Sequence, residues 1–511
     1  MHSLNLTRDV HGLQRCAWLW AIVSVSVSVC AGCSEASSGP QAPHANTRAP
    51  HANTRADAAP AAKTVAARQP EIVVPDLGTR HQGIDWPCFL GPNHDSRSPE
   101  RGILGQWPES GPPVVWSMPL ENSYGPASVS RGRLFIFDRH GDRAVLVCVQ
   151  SETGKPLWEA GYRSEYEDFY NYQTGPRCSP VVDGGRVYVY GVEGILHCYR
   201  VTDGQLLWQL DTMSRFGVVQ NFFGVGSTPV VEGDLLIVQV GGSPPGSPTV
   251  HSGRVRGNGS GVVALDKFTG EVRYKISDEL ASYSSPVPAT IQGRRWCFVF
   301  ARGGLLAFDP QNGKIDFHFP WRARVLESVN ASNPVVTEDL VFISETYGPG
   351  SALLRVRPGG YETLWTDKSR GRRKSMQAHW NTPVLHDGYL YGSSGRHEAN
   401  AELRCIELAT GKVMWSEKGL GRCSLLYVDG HLVCLSEYGE LLLLRATPRK
   451  FDAISRVVPR RKNSDRAAPG LRPARLLRPP AWAAPVLSHG LLYVRGGDRL
   501  VCLELIPDTK P

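Results

Sequence analysis

The stretches CSPVVDGGRVYVY (178–190) and STPVVEGDLLIV (227–238) share one pattern, and that pattern decides the fold. In each, a small residue and a proline are followed by two short apolar runs with a turn between them. Apolar runs of this length around a glycine turn or a charged turn indicate a β-hairpin. The pattern recurs at 125–137, 284–300, 332–343, 381–392, 423–435 and 483–494. The chain is therefore built from eight copies of one unit.

The second half of the unit repeats as well. A turn glycine is followed four residues later by a large aromatic residue in several copies, as in Gly154/Trp158, Gly204/Trp208 and Gly411/Trp415. The glycine supplies the positive φ of a tight turn, and we expect the aromatic ring to pack between neighbouring units. Each unit is predicted to form four antiparallel strands. Eight such units in series predict an all-β, eight-bladed β-propeller.

The two ends of the repeat region indicate how the ring closes. The eighth unit lacks a fourth strand before Pro511, whereas an unassigned VVWS stretch at 114–117 precedes the first unit. We predict that this N-terminal strand, near Trp116, completes the last blade. The propeller is expected to extend over 84–511. The composition of 41% hydrophobic and 20% charged residues suits a globular chain, and the net charge of +8 does not by itself indicate a nucleic-acid partner.

The first 33 residues have the pattern of an export signal. Arg8 and Arg15 precede an apolar run at 16–29, which is too short for a membrane span of about 20 residues. The sequence Cys-Ala-Gly-Cys at 30–33 then resembles the lipobox of bacterial lipoproteins, which implies a lipid on Cys33. We expect a membrane-anchored lipoprotein that faces the periplasm or the cell surface, with a plain secretory signal or an uncleaved anchor as the alternatives.

Two segments depart from the repeat. Residues 34–83 are rich in Ala, Pro and Ser and have no apolar period, which predicts a disordered tether. Residues 449–478 contain ten Lys and Arg residues and lie between units seven and eight. We interpret them as a basic insertion, which is either a solvated loop or a patch for anionic lipid or polysaccharide.

The cysteines do not require a disulfide framework. Cys148, Cys198, Cys405 and Cys502 occupy a repeat position that other units fill with alanine, so they are predicted to be small buried hydrophobic residues. Cys297 and Cys434 lie in apolar strands and are interpreted in the same way. The pairing of Cys88, Cys178 and Cys423, near strand starts, stays undetermined.

The repeat resembles the pyrroloquinoline quinone (PQQ) propeller repeat over about 86–511. Within that superfamily, which includes the BamB lipoproteins and the quinoprotein alcohol dehydrogenases, the chain looks like exported propellers of planctomycete-type bacteria. The stretches that carry this resemblance are WPCFLGPN (86–93), HWNTPVLHDGYLYGSSGRHE (379–398) and GELLLLRATP (439–448). The resemblance implies an eight-bladed ring and leaves the chemistry open, because function depends on sites.

Loops on one face of a propeller carry the candidate site. The loops before the innermost strands and those between the second and third strands share that face. Aromatic and charged side chains alternate in these loops, which suits the binding of a flat anionic ligand. The alternative is that the aromatic rings only cap the strand ends and that the charged side chains are solvated. The candidate residues are Tyr283, Arg302, Glu345, His379, Trp380, Arg396, His397, Glu398 and Trp482. We do not predict a metal site from His379 with the cluster 396–398, because ligand spacing is lacking.

Three functions are compatible with these observations. We favour a non-enzymatic scaffold that binds envelope proteins and is monomeric, with no nucleic-acid partner and no cofactor. The alternative is a PQQ-dependent dehydrogenase acting on alcohols or sugars, with Ca²⁺ beside the quinone. Its catalytic residues cannot be assigned, and the vicinal Cys-Cys disulfide of that family is missing from this sequence. The second alternative is a polysaccharide-binding module.

Overall fold

The computed structural model describes residues 72–170, 172–219, 221–250, 253–460 and 475–508. Seven of the eight sequence units each form one four-stranded antiparallel blade, and the eighth unit supplies three strands of the last blade. The short apolar run that follows the proline of the repeat is the innermost strand. The other strands of the blade follow it outward in chain order. The predicted all-β, eight-bladed propeller is confirmed. The predicted signal peptide, the lipid site at Cys33 and most of the tether lie outside the described residues.

The strands of the first four blades are these, from the innermost outward. Blade one has Ser128–Ser130, Arg133–His140, Arg143–Gln150 and Pro156–Arg163; blade two has Val181–Asp183, Arg186–Tyr190, Ile195–Arg200 and Leu206–Asp211. Blade three has Val230–Glu232, Leu235–Gln239, Val262–Asp266 and Val272–Ile276; blade four has Val287–Ile291, Arg294–Phe300, Gly304–Phe308 and Ile315–Pro320.

The remaining blades follow the same order. Blade five has Val335–Thr337, Leu340–Glu345, Gly350–Arg357 and Gly360–Thr366; blade six has Val384–His386, Tyr389–Ser394, Glu402–Glu407 and Val413–Lys418. Blade seven has Ser424–Val428, His431–Leu435, Leu441–Arg445 and Ala453–Val457; blade eight has Val486–Ser488, Leu491–Arg495, Arg499–Glu504 and Val114–Pro119. An α-helix at Thr212–Phe216 and 3-10 helices at Lys368–Arg370 and Glu398–Asn400 lie between strands, and no helix in the described part of the chain has the length and apolarity of a membrane span.

The closing strand is the one predicted around Trp116. Val114–Pro119 pairs antiparallel with Arg499–Glu504, and Trp116 stands opposite Cys502. The Trp116 indole Nε1–H donates to the backbone oxygen of Ser151 in blade one at 2.8 Å. The strand therefore belongs to blade eight, and its tryptophan binds blade one, so that the ring is closed without a covalent link.

The aromatic residues of the outermost strands pack between blades, as predicted. Trp158 donates Nε1–H to the oxygen of Val201 in the next blade at 3.0 Å, and a Cβ added to Gly204 would lie 2.5 Å from the same indole. Gly204 also has a φ of +72°, so both the turn and the ring require glycine there. The same arrangement of ring and next-blade glycine occurs at Trp116/Gly154, Trp208/Gly270, Tyr274/Gly313 and Trp365/Gly411.

Side chains next to the channel join successive blades. Ser128 Oγ donates to the oxygen of Pro180 in the next blade at 2.6 Å, and the backbone N–H of Thr228 donates to Ser285 Oγ at 3.0 Å. Equivalent bonds join Ser179 to Thr228, Ser285 to Asn333, Asn333 to Thr382 and Asn381 to Ser424. These bonds fix the angular position of the loops that face the channel.

Residues 86–98 cross the channel and close one end of it. Trp86 pairs with Val129 of blade one, and the oxygen of Pro87 accepts from Val182 of blade two. Farther along, Arg97–Ser98 forms a short parallel pairing with the innermost strand of blade seven. Residues 86–93 of this segment carry part of the family resemblance, but they lie outside the repeat, so their position was not predicted.

The predicted tether is shorter than expected. Residues 72–83 lie against the propeller instead of extending from it, because their backbone oxygens and side chains have partners in three blades. Arg133 Nη1 donates to the oxygen of Pro75 at 2.7 Å, and Arg80 forms an ion pair with Glu504. The packed part of the chain thus begins at Ile72 or earlier, not at residue 84.

The prediction that the basic segment 449–478 is an insertion is wrong for part of it. Ala453–Val457 within it is the outermost strand of blade seven and pairs with Leu441–Arg445. Leu476 and Leu477 at its end are buried in the core. Residues 461–474 lie outside the described residues. Deleting the whole of 449–478 would therefore remove a strand, contrary to the expectation that all of it is a loop.

All described cysteines are buried and unpaired. Cys148, Cys198, Cys297, Cys405, Cys434 and Cys502 are buried in the sheets, which agrees with their prediction as small hydrophobic residues. Cys88, Cys178 and Cys423 form no disulfide either. Burial raises the pKa of the Cys88 and Cys178 thiols to about 12, so these side chains stay protonated at neutral pH.

Candidate functional site

The channel contains a cavity of about 620 Å³, which we call the cup. Its floor includes Phe89 and Leu90 of the segment that crosses the channel. Its walls come from the loops before the innermost strands and from the loops between the second and third strands of blades five and six. Tyr170 and Tyr172 line the side opposite the floor, and their side chains are 41% and 56% exposed. The cup therefore opens to solvent on that side.

One repeat position from every blade lines the cup. In seven blades this residue stands four positions before the innermost strand, and in blade seven the residue that aligns with it by its neighbours is Arg422. The eight residues are Tyr124, Arg177, Gly226, Tyr283, Ala331, Trp380, Arg422 and Trp482, and all of them belong to the lining. A single register along the chain thus produces a ring of side chains around one cavity.

Aromatic rings form a nearly continuous wall. Trp482 lies between two of them, with ring centroids 4.8 Å from Tyr124 and 4.8 Å from Trp380. His379 extends this row, with its ring centroid 4.4 Å from that of Trp380. On the other side, Phe223 contacts Tyr283 at 5.8 Å between centroids, and Tyr172 bridges Phe223 and Trp482. Offset and tilted ring pairs of this kind stabilise one another and hold the wall rigid.

Arginines stand against these rings. Arg422 lies 4.7 Å from the ring centroid of Trp380 and 5.2 Å from that of Trp482, and it forms an ion pair with buried Glu437. Trp482 Nε1–H also donates to Glu437 at 2.8 Å. Burial raises the pKa of Glu437, but the donors on Arg422 and Trp482 outweigh this effect and hold it below its ordinary value. Glu437 therefore stays ionised and fixes both wall residues.

The other two arginines of the cup differ in their partners. Arg177 forms an ion pair with Asp168 at 2.5 Å. Arg396 lies 4.4 Å from the ring centroid of Tyr347 and has no carboxylate within ion-pair distance among the described residues. A guanidinium over an aromatic ring, exposed at the mouth of the cup, is positioned to receive an anionic or aromatic group of a partner.

The structure brings together six of the nine candidate residues. Tyr283, His379, Trp380, Arg396, His397 and Trp482 line the cup. Glu345 lies behind the wall, where it is buried, and Arg302 lines two other cavities. Glu398 is exposed and accepts a hydrogen bond from the Tyr438 hydroxyl at 3.3 Å. The cluster 396–398 is thus divided, because its first two residues line the cup and the third does not.

His379 behaves as a neutral ring in this wall. Burial, together with the charges of Arg422 and Arg396, lowers the pKa of His379 to about 3. Its Nε2 lies 3.3 Å from the Tyr347 hydroxyl, and its Nδ1 has no hydrogen-bond partner among the described residues. A histidine with such a pKa is neutral at neutral pH and carries a proton on only one ring nitrogen, so we assign it no acid–base role.

The residues that line the cup can be compared with those that binding of PQQ and Ca²⁺ would require. The aromatic plates and arginines suit a planar anion, but Ca²⁺ requires six to eight oxygen ligands. Glu327, which is exposed, is the carboxylate of the described lining, and no group of three His, Cys, Asp or Glu residues in the described ranges is placed to hold a metal. The donor set of the cup therefore does not fit a calcium ion beside a quinone.

Glu345 gives a prediction for the pH dependence of stability. It is 1% exposed, its Oε1 accepts from Ser328 Oγ at 3.1 Å, and burial raises its pKa to about 7. An acid with a raised folded-state pKa stabilises the fold at low pH, and that contribution is lost as the pH rises from the unfolded value toward 7. Glu345→Gln should thus raise the free energy of unfolding by about 2 kcal/mol at pH 8 and change it little at pH 4.

Denaturant unfolding at both pH values checks this expectation. Glu398→Gln is the matched control, because Glu398 is exposed and its substitution should leave the profile unchanged. A pH profile of Glu345→Gln parallel to that of the wild type would contradict the assignment.

Several residues of the cup were not among the sequence candidates. Arg422 was missed, although it precedes Cys423-Ser424 as Arg177 precedes Cys178-Ser179, and this shared position could have revealed it. Phe222 and Phe223 of the loop before blade three were also missed, although two adjacent aromatic residues stand there in the sequence. Phe89 and Leu90 had no signal in the repeat, because they come from the segment that crosses the channel.

Comparisons with known proteins agree with this architecture. The sequence profile of the family described as Outer membrane protein assembly factor BamB matches residues 109–244 and 174–417. The structure is similar to BamB from Moraxella catarrhalis, with a TM-score of 0.51 and 13% identity over 76% of this chain and 97% of that chain. It is also similar to the quinohemoprotein alcohol dehydrogenase from Comamonas testosteroni, with a TM-score of 0.57 and 12% identity over 83% of this chain and 81% of that chain. At these identities the two likenesses show the fold alone, and no curated protein matches the sequence.

Proposed function

This chain belongs to the family of the outer membrane protein assembly factor BamB, and from that premise we propose that it is a propeller scaffold that binds a protein partner at the cell envelope through the cup. The observation that carries the proposal is the ring of eight equivalent positions that converge on one cavity. Six of the eight are aromatic or arginine, the residue types that dominate the energetics of protein–protein contacts.

The mouth of the cup supports the same function. Phe169, Tyr170 and Tyr172 are 62%, 41% and 56% exposed, which is unusual for three large rings within four residues. Tyr170 and Tyr172 contact Phe223 of the cup wall. Exposed aromatic residues that continue into an apolar cavity are typical of a surface that a partner covers. The size of the cup suits a few side chains of a partner segment more than a whole domain.

Export and lipid attachment at Cys33 are part of this proposal. They are supported by the sequence of residues 1–33 and by the family to which the chain belongs, which is named for assembly of outer membrane proteins. Fractionation of cells that produce the full chain, with Cys33→Ser as the comparison, separates a lipid-anchored protein from a soluble exported one. The partner that we propose is then an envelope protein.

Removal of the exposed rings should abolish partner binding. We expect the double variant Tyr170→Ala/Tyr172→Ala to capture at least tenfold less of the partner than the wild type does. The reason is that aromatic hot-spot residues each contribute about 2 kcal/mol or more at interfaces. The measurement is affinity capture from detergent-solubilised envelopes of the producing cells, followed by the Kd of the purified partner.

The control is Leu206→Ala, because Leu206 is 45% exposed on the outermost strand of blade two, away from the cup. It should capture the same protein as the wild type. Equal capture by the double variant and the wild type would count against the cup as the binding surface.

The dehydrogenase alternative has a separate test. The arginines and rings of the cup suit a planar anion, which favours testing PQQ, although carboxylate ligands for calcium are not gathered there. Reconstitution of the purified protein with PQQ and Ca²⁺, followed by dye reduction on alcohols and sugars, would replace our proposal if turnover occurred. Binding of a polysaccharide without a protein partner would favour the second alternative instead.

A further inference from the structure

A second cavity, of about 540 Å³, lies outside the cup. Its lining comes from the long loop of blade three between Leu235–Gln239 and Val262–Asp266 and from the loops of blade four. Three arginines face it, Arg254, Arg302 and Arg322. The rest of the described lining is Val250, Gly253, Val255, Leu280 and Leu326. The cavity thus combines three positive charges with apolar walls and has no acidic residue in its described lining.

Arg302 is the buried member of the three. It is 4% exposed and follows the second strand of blade four. Its Nη2 donates to the oxygen of Leu326 at 3.1 Å, and its guanidinium carbon lies 5.2 Å from the ring centroid of Phe222, a residue of the cup wall. Its Nε is buried without a hydrogen-bond partner among the described residues. A buried guanidinium with an unused donor is unusual, because burying a charge without a counter-charge is costly.

Two nearby carboxylates, Glu279 and Glu345, act on Arg322 through their charge, but both have other hydrogen-bond partners. None of the three arginines forms an ion pair within the described ranges. Glu279 instead forms an ion pair with His318 at 2.8 Å and accepts from the backbone N–H of Gly303. Glu345 accepts from Ser328 and from the backbone N–H of Gly348. Burial and the charge of Arg322 lower the pKa of Arg302 to about 10, which still leaves it charged at neutral pH.

We propose that this cavity binds a phosphate group, either free or carried by a lipid. A phosphate has three acceptor oxygens and a charge of about −1.5 to −2, and guanidinium groups bind it through paired hydrogen bonds. Three converging arginines match that charge and that number of acceptors better than they match a single carboxylate. The aliphatic side chains of the lining provide the surface against which the rest of the ligand packs. The two sources of this chemistry are a lipid headgroup and free phosphate, and either would bind outside the cup.

Titration calorimetry on the purified full chain tests the proposal with two probes. These are inorganic phosphate and dihexanoyl phosphatidic acid below its micelle concentration. We expect one binding site for each probe, with at least tenfold weaker binding in Arg302→Gln and severalfold weaker binding in Arg254→Gln and in Arg322→Gln. Arg324→Gln is the matched control, because Arg324 is exposed two residues from Arg322 and does not line the cavity. It should bind both probes as the wild type does.

The relative affinities of the two probes show whether the phosphate comes from a lipid headgroup or is free phosphate. Phosphatidic acid binding at least tenfold more tightly than inorganic phosphate identifies a lipid headgroup, and equal binding identifies free phosphate. Failure of the wild type to bind either probe, equal binding by Arg302→Gln, or equally tight binding of succinate would overturn the proposal. If Arg302→Gln does not fold, the double variant Arg254→Gln/Arg322→Gln, with both changes at exposed positions, should still lose tenfold or more.

Discussion

Replacing Trp116 by alanine should lower the free energy of unfolding by about 3 kcal/mol, because truncation of a large aromatic residue in a packed interface costs about 3–5 kcal/mol. Trp116 is partly exposed, which places it at the lower end of that range. The variant loses the hydrogen bond to Ser151 and the contact with Tyr493, whose ring centroid lies 6.0 Å away. Both contacts hold blade eight to blade one, where the ring has no covalent continuity. Chemical denaturation measures the change.

Two comparisons separate ring opening from a local defect. Trp116→Phe keeps a ring at the interface and loses the N–H donor together with part of the indole contact with Gly154, so it should cost less than Trp116→Ala, about 1–2 kcal/mol. Trp158→Ala should cost a similar amount to Trp116→Ala, because it makes the same contact between blades one and two. Only Trp116→Ala should make the chain around residue 120 susceptible to limited proteolysis. A stability within 1 kcal/mol of the wild type would contradict the role of Trp116 in closure.

Replacing Glu437 by glutamine should cost about 3 kcal/mol at neutral pH. Its side chain is 3% exposed, that of Arg422 is 15% exposed, and removal of one partner leaves the other as an uncompensated charge of the kind that costs about 3–5 kcal/mol. The same change removes the anionic acceptor of Trp482 Nε1–H. We therefore expect the variant to lose partner binding along with stability, since both Arg422 and Trp482 line the cup.

The pH profile of Glu437→Gln distinguishes this effect from a packing defect. The pKa of Glu437 lies below its ordinary value in the folded state, so its contribution is present above the unfolded-state pKa and is lost as the pH falls through the folded-state value. The difference between variant and wild type should therefore be largest at pH 7 and shrink below about pH 4. Glu440→Gln is the control, because its partner Arg456 is half exposed. A difference that is constant with pH would exclude the ion pair as its cause.

The propeller could be predicted from the sequence because each blade repeats the same local signals. Proline before the innermost strand, the turn glycine and the aromatic residue after it recur in register, and each has a physical reason to do so. Closure by the strand at Trp116 followed from counting strands. The face of the propeller that carries the candidate site could also be predicted, because the topology places two sets of loops on one face. Six of the nine candidate residues therefore line the cup.

The remaining features depend on contacts between segments that no periodicity relates. Phe89 and Leu90 reach the cup because residues 86–98 cross the channel, and a segment without repeats gives no sign of its destination. Ala453–Val457 was hidden in a run of basic residues, although alternate positions of that strand face the core. The position of Arg302 beside Arg254 and Arg322 depends on how two loops pack, and the sequence separates them by up to 68 residues.

The pairing of Val114–Pro119 with Arg499–Glu504 has a consequence for biosynthesis. Ser117 and Arg499 are 382 positions apart, and the ribosome makes the first long before the second. During synthesis the early strand has no partner in the sheet until the late strand has been made. The propeller therefore cannot close before the C-terminal strand has been made.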